Sequence, residues 1–424
     1  VISIALLGFG TVGSGFYEIL KREEEKIEEK INDKVSIKYI LVNDLSKNRE
    51  QISSDTIVTD SFEKIIADEN IDIIIELIGG ETPALDYIKR SLSAEKIVIT
   101  ANKLLVANYF KELIKLAEKN KTHIFFEAST GGGIPVINMV EDYLAGDKIN
   151  ELHGILNGTT NYILSVMEKE TVSMPETIKK AQALGYAEQD PSSDLGGLDA
   201  LYKIVILANL AFSCAVNPED IYCKGIKGIT SYDIMYAEEL GYKIKLIAAA
   251  KREDSGLRIF VSPFLIKKDD DFASTVGADN SLEIKSENLN HLFLKGPGAG
   301  KFPTGNAVIF DLIKASRFLL GDYKKSRSKK FNNIKINRKS DFKQSFYIRL
   351  QIEKNDSIIK NIKSMFDESN LADMILKDGS SDTPLLPLII LTRKISIQKI
   401  EKFMEYVENI NGVLTINNII PLKE

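Results

Sequence analysis

A glycine-rich turn follows an apolar heptad with no polar spacer between them. The run VISIALL at 1–7 reads as a fully buried strand, and GFGTVGSG begins at Gly8. Gly8, Gly10 and Gly13 then form G-x-G-x-x-G at the mouth of a helix. In that setting the first glycine allows a tight turn, and the second lets a pyrophosphate approach the backbone. The third lets the helix pack closely on the strand, while the free N–H groups of the helix face the phosphates. The feature predicts a Rossmann-type doubly wound parallel sheet that binds a dinucleotide.

The next segments keep that rhythm. Strand signals recur at 35–44, 71–80, 96–102 and 122–129, with helical patterns between them, as a parallel α/β sheet requires. The mixed-sign run KREEEKIEEK at 21–30 reads as a solvated helix face. The second strand ends at Asn43-Asp44, where an acid would bind the ribose hydroxyls of NAD. Lys47 and Arg49 follow, and they would meet the 2′-phosphate of NADP. Both cofactors stay open on this pattern.

From 135 onward the pattern changes. Pro135 can open a helix. KINELHGILNG at 148–158 reads as a strand entering an Asn-Gly turn, and helices fit 160–169, 174–184 and 198–213. Strand-like stretches such as 257–266 complete an α+β catalytic and dimerisation domain. The basic, polar stretch 321–344 suits a linker. Only Tyr323, Phe331 and Phe342 interleave with its charges, which is poor support for RNA stacking. The last 80 residues read β-α-β-β-α-β, a ferredoxin-like unit. The expected domains are 1–135 for the nucleotide, completed by about 296–320, then 136–295, the linker 321–344 and a final module 345–424.

Composition narrows the function. A chain of 424 residues with 44% hydrophobic and 27% charged residues is globular. A net charge of −5 argues against a general nucleic-acid binder. No apolar run reaches the ~18 residues of a membrane span, and Val1–Leu7 lacks the features of a signal peptide, so the expected compartment is the cytoplasm. His123, His153 and His291 are too scattered for a histidine-based metal motif. Proton chemistry is thereby left to Lys, Glu or Asp. Cys214 and Cys223 build neither a disulfide scaffold nor a four-cysteine zinc site.

The sharpest candidate lies in LDALYKIVILANLAF at 198–212, apolar around nearly its whole circumference. Asp199 and Lys203 sit on it one turn apart. A buried ion pair is costly unless it lines a cavity, and a desolvated lysine has a lowered pKa that suits proton transfer. Just before it, Glu188, Asp190, Asp194 and Asp199 crowd a Gly/Pro/Ser-rich loop. Such acids suit a cation or an ammonium group, or are merely a solvated loop. Lys103, in TANK at 100–103, follows a strand whose carboxyl end should border the cofactor crevice. EASTGGGIP at 127–135 offers Glu127 and glycine-exposed carbonyls, a set suited to a weakly bound hard cation or simply to a loop beside the cofactor.

GFGTVGSG, TANK, EASTGGGIP, GILNGTTNYIL (154–164), LGYAEQDPSSDLGGLDALYK (184–203) and GPGAGKFPTGNAVIFDL (296–312) together resemble the homoserine dehydrogenase family, in order and over nearly the whole chain. The resemblance implies NAD(P)-dependent interconversion of L-aspartate 4-semialdehyde and L-homoserine, at the branch toward threonine and methionine. It implies Lys203 as the acid–base lysine, with Lys103 beside the nicotinamide and the reacting oxygen. Glu188 and Asp199 match substrate-binding residues, and Gly158, Thr159 and Asp194 fall in substrate-site motifs. Gly185 and Gly300 match cofactor-contacting glycines, and Thr11 and Val12 belong to the first cofactor turn. Glu127, Thr130, Gly132 and Ile134 match a monovalent-cation site, normally sodium.

The final module resembles an ACT domain, which implies threonine as effector and a homodimer or homotetramer as the assembly. Three positions depart from the pattern. The turn Lys354-Asn355-Asp356-Ser357-Ile358 lacks the usual Pro-Gly, whose glycine lets an effector approach the backbone, which argues against threonine binding but not against the fold. Asn43 replaces an arginine common for NADP, which weakens the NADP preference, and Gly305 replaces a common alanine, with little effect expected from the last. The rival readings are another NAD(P)-dependent amino-acid dehydrogenase and a non-catalytic amino-acid sensor, and the Asp199/Lys203 pair argues against the sensor. An acylating semialdehyde dehydrogenase would need a nucleophilic cysteine in a catalytic turn, and neither cysteine lies in one.

Overall fold

A computed structural model of the chain describes residues 1–47, 49–321, 330–337, 342–366, 369–377 and 385–423. It forms two compact units: residues 1–152, 202–220 and 280–334 make the first, and 153–201, 221–279 and 335–424 the second.

The first unit is built on a six-stranded parallel sheet. Its strands are β1 (Ile2–Leu7), β2 (Val35–Leu41), β3 (Ile57–Thr59), β4 (Ile73–Glu76), β5 (Ile97–Thr100) and β6 (Ile124–Phe125), in the order β3-β2-β1-β4-β5-β6. Strand order reverses between β1 and β4, so a crevice opens at the carboxyl ends of the central strands. Alternation along β1 feeds two cores, with Ile4 and Leu6 packed on one face and Ala5 and Leu7 on the other. That two-sided burial explains the unbroken apolar heptad.

Helices α1 (Thr11–Arg22), α2 (Glu24–Ile31), α3 (Phe62–Ile66), α4 (Ala84–Ser93) and α5 (Lys103–Lys119) connect the strands. A short α6 (Val136–Asn138) runs on into a π-helical turn at Met139–Tyr143. Pro135 precedes that helix as its cap rather than occupying its first turn. Strand β7 (Ile149–Ile155) follows, with most of its length in this unit. The second unit opens with α7 (Gly158–Glu170), α8 (Met174–Ala183), α9 (Ser192–Gly196) and the first residues of α10 (Leu198–Ala211). It continues with β8 (Tyr222–Cys223), α11 (Ser231–Glu239), β9 (Tyr242–Glu253) and β10 (Gly256–Lys267). β9 and β10 form an antiparallel hairpin, and β8 pairs with β10 in parallel.

The chain then returns to the first unit through β11 (Asp279–Ser286), β12 (Asn290–Pro297) and α12 (Lys301–Leu319). Helix α12 packs on α1 with almost no gap. A Cβ on Gly305 would lie 2.9 Å from the Phe16 nitrogen, and one on Gly15 would lie 2.3 Å from the Lys301 carbonyl oxygen. The expectation that Gly305 is a neutral replacement for alanine is therefore corrected: here the missing methyl sets the helix–helix distance.

The C-terminal part of the second unit begins with β13 (Lys343–Gln344), then β14 (Phe346–Glu353), α13 (Asp356–Ser364), β15 (Leu371–Leu376) and β16 (Leu385–Thr392). It ends with β17 (Ile395–Ser396), which pairs with β13, then α14 (Ile397–Val407) and β18 (Val413–Pro421). The sheet order β15-β16-β14-β18, antiparallel throughout, is that of a ferredoxin-like βαββαβ unit. Ile358, Ile362, Ile400 and Phe403 from the two helices cover one face of it.

Two local expectations change, and one short strand was missed. The strand expected over 122–129 is only two residues long, and Glu127–Ser129 forms a 3-10 turn instead. Short β3 escaped the sequence reading, because three residues are too few to show a period. Asn157-Gly158 is not a hairpin turn: Asn157 caps α7, its side chain accepting the Thr160 N–H at 2.7 Å. Of the expected linker, 322–329 and 338–341 lie outside the described residues. Its described part is pinned at Asn332, whose N–H donates to the Ser213 carbonyl at 2.6 Å.

Candidate active site

In the first unit the glycine turn has the predicted shape. Gly8 adopts φ +100°, and a Cβ on Gly13 would meet the Gly8 carbonyl oxygen at 2.3 Å. Gly10 has open space where its Cβ would be, so its backbone is approachable, and Thr11 and Val12 begin α1 beside it. A crevice of about 620 Å³ runs from Gly8 and Gly10 past Asn43, Lys47 and Arg49. Asp44, the acid expected on the ribose, does not line it. Its carboxylate accepts the Ser46 N–H and hydroxyl at 2.9 and 2.6 Å, and those bonds hold its pKa below the usual range. Arg49 donates to the Lys47 and Asp44 carbonyls, both at 2.9 Å. Neutral partners fix the guanidinium without cancelling its charge. The set fits a dinucleotide with a further anionic group at its ribose end.

Two residues that sequence reasoning missed shape the ends of β4 and β5. Glu76 is fully buried and accepts the Ile78 N–H at 2.8 Å and the Thr100 hydroxyl at 2.5 Å. Burial raises its pKa. Asn102 donates to the Gly80 carbonyl at 2.6 Å and caps α5 through Leu105. Lys103 is the first residue of that helix, half-buried at the carboxyl end of β5. The Ser/Thr/Asn/Asp preference at helix starts was the available signal for Asn102.

The loop bearing Glu127, Thr130, Gly132 and Ile134 packs on the loop before α12. The Gly133 N–H donates to the Pro297 carbonyl at 2.9 Å, and a Cβ on Gly132 would strike Gly298 at 2.4 Å. Gly300 caps α12 at φ +125°, a conformation that favours glycine. The Glu127 carboxylate turns to the start of α6, accepting the Ile137 and Asn138 N–H groups at 2.9 and 2.8 Å. Burial pushes its carboxyl up to about 7. Its N–H donates to Asp311 of α12 at 2.8 Å, and Asp311, buried beside Glu127, is raised well above the carboxylate range. With that carboxylate occupied, carbonyl oxygens are the donors this loop offers a cation, a set suited to a monovalent ion.

In the second unit a single amide gathers the acids. Asn157 Nδ2 donates to Asp194 Oδ1 and to Asp199 Oδ2, both at 2.7 Å. Asn157 and Asp199 are each 4% exposed. Sequence reasoning singled out the two acids and missed the residue that joins them. The Thr159 hydroxyl donates to the Tyr186 carbonyl at 2.7 Å, tying α7 to the loop that holds Gly185 and Glu188. Both of those residues are exposed. Gly158 is required by close approach, since a Cβ there would sit 2.6 Å from the Ala278 oxygen. Fully buried Lys245 donates to Asn161 Oδ1 at 3.0 Å and to the Thr275 carbonyl at 2.8 Å, anchoring the same helical turn from below. Lys203, in the part of α10 that belongs to the first unit, lies one turn beyond Asp199 along the helix and is 8% exposed.

A phosphate-binding glycine turn on a doubly wound sheet, with a buried lysine and a gathered acid cluster elsewhere in the chain, defines a nicotinamide-dependent dehydrogenase. Comparison with known proteins makes the class specific. The family profile described as homoserine dehydrogenase matches residues 135–313, and that of the homoserine dehydrogenase NAD-binding domain matches residues 8–127. The homoserine dehydrogenase of Bacillus subtilis is 35% identical over 421 residues, covering 99% of this chain and 96% of its own. The crystal structure of a Thiobacillus denitrificans homoserine dehydrogenase superposes with a TM-score of 0.94 at 32% identity, covering 100% of this chain and 98% of the other. A hyperthermophilic archaeal homoserine dehydrogenase mutant in complex with NADPH matches with a TM-score of 0.65 at 25% identity, over 77% of this chain and 99% of that one. The chain belongs to the homoserine dehydrogenase family, NAD(P)-dependent oxidoreductases that interconvert L-homoserine and L-aspartate 4-semialdehyde.

Proposed function

We propose that Lys203 is the acid–base residue of this reaction and that NADP is the preferred cofactor. The bound nicotinamide supplies the hydride, or takes it up in the reverse direction. Lys203 donates a proton to the alkoxide oxygen as the aldehyde is reduced and recovers it as homoserine is oxidised. Lys103, at the N-terminus of α5, adds positive charge where the oxyanion develops. Glu188, Asp194 and Asp199 hold the substrate ammonium, and Gly158 and Thr159 shape the turn beside them. The observation that carries the reading is the Asn157 amide holding Asp194 and Asp199 together, which concentrates negative charge where an ammonium needs it.

On the cofactor side, Gly8, Gly10, Thr11, Val12 and Gly13 cradle the pyrophosphate, with Gly185 and Gly300 as further contacts. Lys47 and Arg49 line the crevice, while Asp44 is committed to Ser46. The archaeal relative in complex with NADPH supports a phosphorylated dinucleotide as one ligand of this fold. The carbonyls of Glu127, Thr130, Gly132 and Ile134 hold a sodium ion that stiffens the loop against Gly298. A homodimer or homotetramer, cytoplasmic location, an amino-acid effector (threonine or another) and the ACT-like nature of the C-terminal module belong to the same reading. Initial rates of homoserine oxidation with each cofactor test it. NADP+ is expected to match or exceed NAD+, and a strong NAD+ preference contradicts the assignment of Lys47 and Arg49.

A further inference from the structure

The second unit contains a cavity of about 340 Å³ between the C-terminal module and the β8–β10 sheet. Its size and mostly apolar wall, which includes Phe260, Phe264, Phe342 and Phe346, are those of a small-molecule site. Its charged lining is Lys224, Arg258 and Glu401, two cations and one acid. The Arg258 guanidinium stacks 4.2 Å from the centre of the Phe342 ring, and its Nη2 donates to Gln344 Oε1 at 2.5 Å. Lys224 Nζ donates to the Ile419 carbonyl at 3.1 Å. In the same wall, Asn417 Oδ1 is buried with no hydrogen-bond partner. A buried acceptor left unpaired costs about 1–3 kcal/mol, so this wall lacks a donor.

The floor of the cavity is also the back of the substrate loop. Tyr222 and Lys224 belong to the segment 222–228, which touches both regions. On one side it carries Lys224 bonded to Ile419, and Gly228, whose carbonyl accepts Asn418 Nδ2 at 2.6 Å. On the other, Cys223 Sγ donates to the Gly196 carbonyl at 3.4 Å and the Ile226 N–H to the Leu195 carbonyl at 2.9 Å. A Cβ on Gly225 would lie 1.9 Å from the Leu195 oxygen, so no slack separates the two segments. Leu195 and Gly196 end the helix that bears Asp194, the acid held by Asn157.

We propose that this cavity is an effector site for an α-amino acid with a large apolar side chain, and that its occupancy is felt at Asp194 through the segment 222–228. The carboxylate meets Lys224 and Arg258, the ammonium donates to Asn417 Oδ1 beside Glu401, and the side chain packs among the phenylalanines. The site differs in place from the β14–α13 turn. There Asn355 Oδ1 already accepts the Ser357 N–H at 2.9 Å and the Ser357 hydroxyl at 2.8 Å, closing the turn on itself.

The chain has no tryptophan, so Phe342→Trp in the full-length enzyme gives a reporter in the cavity wall without background. L-phenylalanine is the probe. A saturable fluorescence change is expected, together with a change of about threefold or more in the homoserine KM. 3-Phenylpropanoate, which lacks only the ammonium, is expected to bind about tenfold more weakly, and Asn417→Leu to weaken L-phenylalanine by about tenfold with basal activity intact. Calorimetric titration of the unsubstituted chain repeats the binding test without any variant. No binding in either format overturns the site, as does equal binding to Asn417→Leu. Binding that leaves the homoserine KM unmoved overturns the link to Asp194.

Discussion

At the nucleotide crevice the backbone does the shaping: Gly8 supplies a positive φ, Gly13 removes a clash, and Gly10 leaves open room. At the acid cluster side chains do the shaping, with one amide bridging two carboxylates that lie 37 and 42 residues from it in sequence. The first arrangement is local, so a motif carries it. The second exists only once the fold has brought α7, α9 and α10 together. The difference teaches where each half is vulnerable. The crevice yields to added atoms, and the acid cluster yields to the loss of a single hydrogen-bond donor.

The largest effect is expected where chemistry rather than binding is removed. Lys203→Ala should lower kcat by about 10³-fold, within the range for general acid–base groups, while NADPH titration reports unchanged affinity. Retained turnover would sink the assignment of the proton to Lys203. Next comes the charged edge of the crevice. Arg49→Ala should raise the KM for NADP+ by about tenfold and leave that for NAD+ nearly unmoved, since only the 2′-phosphate is lost as a partner. Equal losses with both cofactors would mean that Arg49 only holds its own loop together.

A smaller effect tests the backbone principle outside the crevice. Gly305→Ala should destabilise the enzyme by about 1–3 kcal/mol in denaturant unfolding, because the new methyl forces α1 and α12 apart. A neutral result would show that the helices yield without strain. The smallest effect concerns Cys223. Burial pushes its thiol up to about 11 from an ordinary value of 9.0, so the thiol form persists well above neutrality. Iodoacetamide at pH 8 should leave Cys223 unmodified by mass spectrometry, with labelling rising only as the pH approaches 11. The folded state binds this proton more tightly than the unfolded one. The corresponding stability is therefore fully present below pH 9 and is lost between 9 and 11.

Much of the fold was legible because each signal was local. The apolar run of β1, the glycine turn and the apolar α10 are each contained in one segment. Strands of two or three residues were not legible, and neither was the 3-10 turn at Glu127, which depends on Ile137, Asn138 and Asp311. The candidate site divides in the same way. Lys203 and Asp199 stood out as charges in an apolar helix. Glu76, Lys245 and Asp311 sit in ordinary-looking segments, and their partners are 24, 84 and 184 residues away. Asn157 was hidden for another reason: Asn-Gly after a strand predicts a turn equally well, and only the following Thr-Thr-Asn helix reveals the cap.

The contrast between the two halves rests on Asn157, and Asn157→Ser tests it. Serine still caps α7 but cannot reach both carboxylates. The decisive measurement is the homoserine KM set beside the NADPH dissociation constant in that variant. The account predicts a KM raised about tenfold or more with the dissociation constant within about twofold of the parent, as loss of charge-assisted hydrogen bonds in one region implies. An unchanged KM, or a cofactor affinity that falls in step with it, would contradict it.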